Sequence, residues 1–527
     1  MDENAWKAEG ISLPQFNIDE MKKATGGTPQ WVHFGAGNIF RGFIAAAHQE
    51  LLNVGVEKTG IIAVDTFDYE IIDKIYTDFD NLTLLALMSP DGELKKSVIA
   101  SVAEGLKAQT GTEDFEKLKD IFIKESLQMA SFTITEKGYA LSDVRGDYFP
   151  VVQEDIVNGP KAPKHAMSIV AALLYHRYQN GGYPMAVVSM DNCSHNGEKL
   201  QTSILTIAEE WAKQGAVEQG FISYLKDDTK ITFPWSMIDK ITPRPSAEVQ
   251  MKLESSGLVN MSPIVTSKNT FIAPFVNAEI PQYLVVEDKF PNGRPALEKA
   301  GVYLTDRDTV NQTETMKVTT CLNPLHTALA VYGCLLGYTS IAEEMKDTQL
   351  KSLVEKIGYQ EGMPVVVDPK ILNPKDFIAE VIDKRLPNPY IPDMPQRIAT
   401  DTSQKVAIRF GETIKSYQKA SDLNAADLVY IPLAIAGWMR YLLGVDDNGY
   451  AFERSADPML DELSSALEGI SLGDTESYKG NLQPILSNGS LFGVDLYEAG
   501  LGEKIEGMFV ELIVGPGSVR ETLKKYV

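Results

Sequence analysis

Along the first 285 residues, short apolar runs alternate with stretches whose apolar side chains recur every three or four positions. The runs at 31–34, 61–64, 82–87, 132–135 and 185–190 read as strands. The stretches at 38–52, 113–124, 166–178 and 197–213 read as helices. A strand–helix rhythm of this kind indicates a parallel sheet, because parallel neighbours need a crossover and the crossover helices cover the sheet. From about residue 309 helical periodicity prevails, as at 326–336, 374–384, 425–442 and 457–467. The turn-forming segment Phe290-Pro-Asn-Gly-Arg-Pro295 lies near the change. The pattern predicts an α/β domain over residues 1–285 and a mainly helical domain over 286–527.

The sharpest local motif is Trp31-Val-His-Phe-Gly35-Ala-Gly37-Asn38-Ile39-Phe40. An apolar strand runs into two glycines and then a helix. The glycines permit a tight turn and close approach of backbone to a pyrophosphate, and the helix N-terminus offers free N–H groups. Asp65, 28 residues after Gly37, ends the next apolar run. A carboxylate there accepts the ribose hydroxyls of NAD and repels a 2′-phosphate. The third glycine of the usual GxGxxG pattern is replaced by Phe40. A strand–turn–helix without ligand, with Asp65 as a solvated strand-end carboxylate, is the competing reading. The candidate NAD site comprises Gly35, Gly37, Asn38, Ile39, Phe40 and Asp65, with Thr135 and Glu136 past a later strand.

Three further segments carry polar residues that packing alone does not require. They are Thr133-Ile-Thr-Glu136-Lys137-Gly-Tyr139, Met190-Asp191-Asn192-Cys-Ser-His195-Asn196-Gly197, and Glu314-Thr-Met-Lys317-Val-Thr-Thr-Cys-Leu-Asn323-Pro324-Leu-His326. The first two lie just past strands, where α/β sheets bind ligands. Each also has a plain explanation. Asn192 and Asn196 suit turns, Asn323 before Pro324 suits a helix cap, and His326 suits a core.

Composition narrows the chemistry. The net charge of −23 repels nucleic acid and anionic membrane, and an anionic substrate needs local positive charge. Three dispersed cysteines argue against a disulfide framework and suit a reducing, cytoplasmic compartment. Neither a signal peptide nor a membrane span is expected from the first residues or from the most apolar stretch, 428–445. The six histidines lack zinc-site spacing, so no metal is expected.

These motifs, with Met237-Ile-Asp239-Lys-Ile-Thr242-Pro243, Glu287-Asp-Lys-Phe-Pro-Asn-Gly-Arg294 and Arg385-Leu-Pro-Asn388…Arg397, resemble the polyol-specific long-chain dehydrogenases. That family includes mannitol dehydrogenases, fructuronate reductases and tagaturonate reductases. The resemblance spans nearly the whole chain. It implies a Rossmann-like first domain, a helical catalytic domain and metal-independent chemistry on a small sugar-acid or polyol substrate. It marks Lys317 as catalytic lysine, Asn192 and Asn323 as donors to the reacting oxygen, and His326 as a substrate-bonding histidine. Glu314 becomes a proton relay to solvent, and Asp239 and Arg397 become substrate-pocket residues. The segment Asn323-Pro-Leu-His-Thr-Ala is most similar to the fructuronate-reducing members, which interconvert D-fructuronate and D-mannonate. Mannitol 2-dehydrogenase and tagaturonate reductase are the alternatives within the family, and a catalytically silent cofactor-binding protein is the alternative outside it.

Chemically, ketone reduction needs hydride at carbon and a proton at oxygen. A protonated lysine supplies the proton and amide N–H groups stabilise the developing charge. Arg244 is the expected partner of a uronate carboxylate, with a surface ion pair as its alternative. Relatives of this type place the asparagine and histidine five and eight residues after the lysine, whereas here the gaps are six and nine. A π-bulge or break before Asn323 would absorb the extra residue.

Overall fold

The computed structural model describes residues 3–143 and 145–527. The chain divides into two compact units, residues 1–311 and 312–527. The boundary expected at 285/286 falls inside the strand Tyr283–Glu287, which pairs with Ser236–Asp239 and Tyr303–Thr305 in the first unit.

Six parallel strands dominate the first unit: β1 (Trp31–Phe34), β2 (Ile61–Asp65), β3 (Val102–Lys107), β4 (Met129–Phe132), β5 (Met185–Ser189) and β6 (Ile231–Thr232). Their order is β3-β2-β1-β4-β5-β6. The chain builds outward from β1 to β3, then returns to add β4 on the other side. The carboxyl ends of β1 and β4 therefore flank the point where the order reverses, the place where doubly wound sheets bind ligands. Both faces of this sheet are buried. Val32, Phe34, Ile62, Val64 and Phe132 pack into one core, with Leu118, Leu173 and Ile204 from the crossover helices. Trp31, Ile61, Ala63 and Met129 point to the opposite core, as the two-residue side-chain period requires.

Two strands of this sheet had no clear sequence signal. β3 carries Glu104 and Gly105, and β6 is two residues long. The run expected at 82–87 does form a strand, Thr83–Met88, but in a second sheet. It pairs antiparallel with Leu94–Ile99 and parallel with Phe275–Glu279. An amphipathic run shows that a strand forms, not which partner it takes.

The second unit is helical. At its centre, Asn323–Leu336 packs against Tyr430–Tyr441, which in turn packs against Gly502–Leu512. The Tyr332 hydroxyl, fully buried, donates to the Leu433 carbonyl at 2.8 Å. Among the described residues no helix is long and apolar enough to cross a membrane.

One packing contact in this unit is chemically unusual. The Glu344 side chain lies against Gly333, where an added Cβ would stand 2.1 Å from Oε1. Glu344 is fully buried and neither carboxyl oxygen has a hydrogen-bond partner among the described residues. Burial first, then the charges of Asp393 and Asp347, push its carboxyl well above the usual glutamate range, so it is held protonated. As pH rises past about 4.3 the unfolded chain ionises at this position and the folded chain does not. Folding stability is then lost at up to about 1.4 kcal/mol per pH unit until the folded group itself ionises. Glu344→Gln removes this dependence. Its stability relative to the parent chain, measured by urea unfolding from pH 4 to 8, is expected to rise with pH; a constant difference would show that Glu344 ionises normally.

Candidate active site

β1 ends in the predicted glycine turn, and the reason for glycine is visible. Gly35 has φ +100°, and a Cβ there would sit 2.1 Å from the Thr133 carbonyl oxygen. The turn and the end of β4 are therefore in backbone contact. A Cβ on Gly37 would meet nothing within 4 Å, which leaves open space at the start of the following helix. That helix opens at Asn38 and passes into a π turn at Phe40–Ile44 before continuing as Ala45–Asn53. Phe40 is buried and stacks on His33 at 4.1 Å, so it packs the turn from beneath. His33 bonds Ser131 and Thr133, and burial lowers its pKa to about 3, so it is neutral. Close packing of the helix falls to Gly42, where a Cβ would lie 2.7 Å from Val276 Cγ1.

Asp65 is buried, not a solvated strand end. Its Oδ1 accepts the N–H groups of Phe67 and Asp68 at 2.8 and 2.7 Å, and its Oδ2 accepts Ala36 N–H at 3.3 Å. Burial pushes the carboxyl up and the three N–H donors oppose the shift. The bond to Ala36 ties β2 to the glycine turn. The donors present fit a dinucleotide. The helix N-terminus leaves N–H groups without intrahelical partners, space is open at Gly37, and the buried Arg41 guanidinium close behind has its Nε without a partner.

Past β4, Thr135 adopts φ +64° and ψ 162°, a region that a β-branched residue occupies only under constraint. The constraint is Asp191, which the sequence reading left without a role. Its two oxygens accept the N–H groups of Ile134 and Thr135, each at 2.9 Å, and Oδ2 also accepts the Tyr139 hydroxyl at 2.6 Å. Burial pushes Asp191 up against these donors, and burial and Asp191 together push Tyr139 well above its usual value, so the phenol is the donor. A carboxylate immediately after a strand and beside Asn192 was the available signal. Asn192 is exposed, Glu136 pairs with Lys199, and Asn196 is buried with its carboxamide bonded to Asp191 and Ser236.

Asp239 is buried at the end of its strand. Arg244 lies on the loop that follows this strand, and its carbonyl accepts from Asn277 Nδ2 at 3.3 Å. The neighbouring Pro243 carbonyl accepts from Asn38 Nδ2 at 3.4 Å. The Arg244 guanidinium stacks over Phe271 at 4.3 Å and forms no ion pair among the described residues.

In the second unit, Lys317 is buried and begins a π turn, Lys317–Cys321. The Leu322 N–H reaches back five residues to the Lys317 carbonyl at 3.1 Å, and Leu322 itself breaks the helix at φ −130°. This is the predicted device for absorbing the extra residue. Asn323 is not a side-chain cap, and its carboxamide has no hydrogen-bond partner among the described residues. His326 Nε2 lies 2.9 Å from Asp393 Oδ2, and Asp393 Oδ1 accepts from Arg397 at 2.5 Å. One buried carboxylate thus joins two predicted residues. Its burial would raise the pKa, but His326 and Arg397 outweigh that and hold it low. Asp393, four residues before Arg397, was missed. So was Arg409, whose one hydrogen bond is to Thr327 Oγ1 at 2.6 Å and which has no ion pair among the described residues. Burial lowers its pKa to about 10, so it stays a cation at neutral pH. Glu314 is partly exposed on the turn before Lys317. Among the described residues no His, Cys, Asp or Glu cluster is placed to hold a metal ion.

The turn geometry carries a stability consequence. Gly35→Ala meets both a left-handed backbone and the Thr133 carbonyl, and it is expected to cost about 2 kcal/mol or more. Urea unfolding followed by circular dichroism measures it; a change within about 0.5 kcal/mol would mean that the β1 and β4 ends part easily.

Comparison with known proteins agrees with this geometry. Residues 29–299 match the mannitol dehydrogenase Rossmann domain, and residues 309–511 match the mannitol dehydrogenase C-terminal domain. The chain is 57% identical to the D-mannonate oxidoreductase of Thermotoga maritima, over 100% of this chain and 97% of that protein. It is 28% identical to the D-mannonate oxidoreductase of Escherichia coli, over 82% of this chain and 83% of that one. A solved D-sorbitol dehydrogenase shares the fold, with a TM-score of 0.79 at 24% identity over 98% of both chains. The mannitol 2-dehydrogenase of Pseudomonas fluorescens, solved with NAD and D-mannitol, gives 0.71 at 26% identity, over 99% of this chain and 98% of that one. Both halves of the sequence and the whole fold lead to one assignment: the chain belongs to the mannitol dehydrogenase family.

Proposed function

We propose that this chain is an NAD-dependent oxidoreductase interconverting D-fructuronate and D-mannonate, with Lys317 as general acid and base. The observation that carries the proposal is the order of groups around one helix break. Lys317 is buried at the head of the π turn, the Asn323 carboxamide beyond it has no hydrogen-bond partner among the described residues, and His326 is held by Asp393. The 57% identical D-mannonate oxidoreductase supports the substrate assignment.

The nicotinamide, when bound, supplies or takes the hydride. Lys317 gives its proton to the ketone oxygen in reduction and takes it back in oxidation. Asn323 and Asn192 donate N–H groups to that oxygen as charge develops. Asp393 holds the His326 proton on Nε2, which leaves Nδ1 to accept a substrate hydroxyl. Glu314, partly exposed and three residues before Lys317, passes the proton to solvent. Asp239 and Arg397 complete the substrate residues. Gly35, Gly37, Asn38, Ile39, Phe40, Asp65, Thr135 and Glu136 form the cofactor site. Arg409, charged and without an acidic partner among the described residues, supplies the positive charge that a uronate needs in a chain of net charge −23. The three cysteines are free, which supports a cytoplasmic enzyme.

Lys317→Ala is expected to lower kcat by about 10²–10⁴-fold while NADH affinity, read by fluorescence, stays near the parent value. Glu314→Gln should slow turnover less. A Lys317→Ala enzyme with undiminished kcat would refute the mechanism. Faster turnover of fructose than of fructuronate by the parent enzyme would move the assignment to a neutral polyol.

Asp65 also sets cofactor choice. kcat/KM is expected to favour NADH over NADPH, and a preference for NADPH would remove Asp65 from the ribose.

A further inference from the structure

The sequence reading paired Arg244 with the substrate, but its surroundings belong to the cofactor side of the first unit. Residues 242–272 leave the strand Ser236–Asp239, which pairs antiparallel with Tyr283–Glu287, as a long excursion that ends in a small hairpin, Ile264–Val265 against Phe271–Ile272. Its first part is tied to the second sheet, where Asn277 bonds the Arg244 carbonyl and the Ser246 N–H and Lys252 reaches the Gly92 carbonyl. Its other tethers run to the segment after β2 or to the helix after the glycine turn. Thr266 Oγ1 donates to the buried Asp68 carboxylate at 2.5 Å, and Ser267 N–H donates to Glu70 at 2.9 Å. The Ala273 carbonyl, at the foot of the hairpin, accepts from Arg41 at 2.9 Å. The Pro243 carbonyl accepts from Asn38, and a Cβ on Gly42 would touch Thr242 at 3.5 Å.

The rim built this way displays unusual side chains. Phe67, two residues after Asp65, is 66% exposed, although Asp65 fixes its backbone through the Phe67 N–H. The Lys268 ammonium of the hairpin lies 5.2 Å from its ring centroid. Phe271 is 38% exposed, and the Arg244 guanidinium covers it at 4.3 Å. Two exposed rings, each with one cation and neither closed into a core, stand on the loop after β2 and on the hairpin tethered to it. Large exposed apolar side chains gathered in one place mark a binding surface. Rings bind the face of a nucleobase and neighbouring cations bind phosphate.

We infer that Phe67 is the platform for the adenine of the dinucleotide and that Arg244, carried on the hairpin's excursion, is a cation for its phosphates. The inference rests on the dinucleotide reading of the site but not on the identity of the sugar. It reassigns Arg244 from substrate to cofactor. Lys268 holds one face of Phe67 and leaves the other for the base. The buried Arg41 bolts the hairpin foot to the helix.

The test is equilibrium binding to the full chain without sugar, read by NADH fluorescence and by its displacement with ADP or adenosine. Phe67→Ala is expected to weaken NADH about tenfold and to leave reduced nicotinamide mononucleotide, which has no adenine, unchanged. Phe67→Tyr should restore the affinity. Arg244→Gln should weaken NADH and ADP, spare adenosine and flatten the salt dependence of NADH binding. Both variants binding NADH like the parent would overturn the inference. So would equal losses for NADH and the mononucleotide, which would indicate a damaged fold. Arg244→Gln with intact ADP binding but a raised KM for fructuronate would return Arg244 to the substrate. A parent chain that bound no NADH would overturn the cofactor reading and this inference together.

Discussion

The approach of two strand ends governs the cofactor half of the molecule. The Thr133 carbonyl at the end of β4 occupies the space that any side chain at position 35 would need. The turn after β1 and the loop after β4 are therefore locked in register at the point where strand order reverses. Each is held from its outer neighbour by a buried carboxylate. Asp65, ending β2, accepts Ala36 N–H, and Asp191, just past β5, accepts Ile134 and Thr135 N–H. Burying a carboxylate is unfavourable unless its oxygens are well supplied with donors. Each receives three, and the loops gain fixed geometry in return. The strained Thr135 backbone persists because Asp191 over-determines it.

Much of this frame was legible before any coordinates. Continuous apolar runs located most strands because the sheet is buried on both faces, and the 3.6-residue pattern located the helices that bury one face. The glycine turn was legible because only glycine tolerates φ +100° beside a carbonyl. Asp191 and Asp393 were not, because a carboxylate that serves another residue leaves no spacing of its own. Their partners come from separate segments, 134–139 for one and His326 with Arg397 for the other. The environment of Arg244 was illegible for a related reason. The loop after Thr242 brings the Pro243 carbonyl to Asn38 and the Arg244 guanidinium to Phe271, contacts between distant segments that no local spacing announces. β3 was lost because Glu104 and Gly105 interrupt its apolar run.

The helical unit solves a different problem. Lys317, Asn323 and His326 lie one residue further apart than an unbroken α-helix would allow for one face. The π turn takes up that residue, and the break at Leu322 admits Pro324, which would otherwise clash with the Thr320 carbonyl. The break also leaves the Asn323 side chain out of the helix cap. A single insertion thus relieves a steric conflict and presents an amide.

The buried arginines show how structure and chemistry divide among residues of one kind. Arg177 is fully buried and donates to five backbone carbonyls, those of Phe122, Lys124, Leu127, Tyr183 and Pro184. Arg440 is likewise surrounded by the carbonyls of Leu512, Val445 and Asp446. Carbonyl dipoles solvate both guanidinium groups: all five N–H donors of Arg177 are taken, and each nitrogen of Arg440 has a carbonyl partner. Among the described residues the Arg41 guanidinium makes two hydrogen bonds and leaves Nε unpartnered, and that of Arg409 makes one. An orphaned guanidinium nitrogen shielded from water is costly, which applies to Arg41, whereas Arg409 is only partly buried. In a chain of net charge −23 such cations have no shortage of carboxylates to choose from. Arg41 thus carries an unmet donor behind the glycine turn, and Arg409 stands beside Thr327, one residue after His326, as a cation without an acidic partner among the described residues.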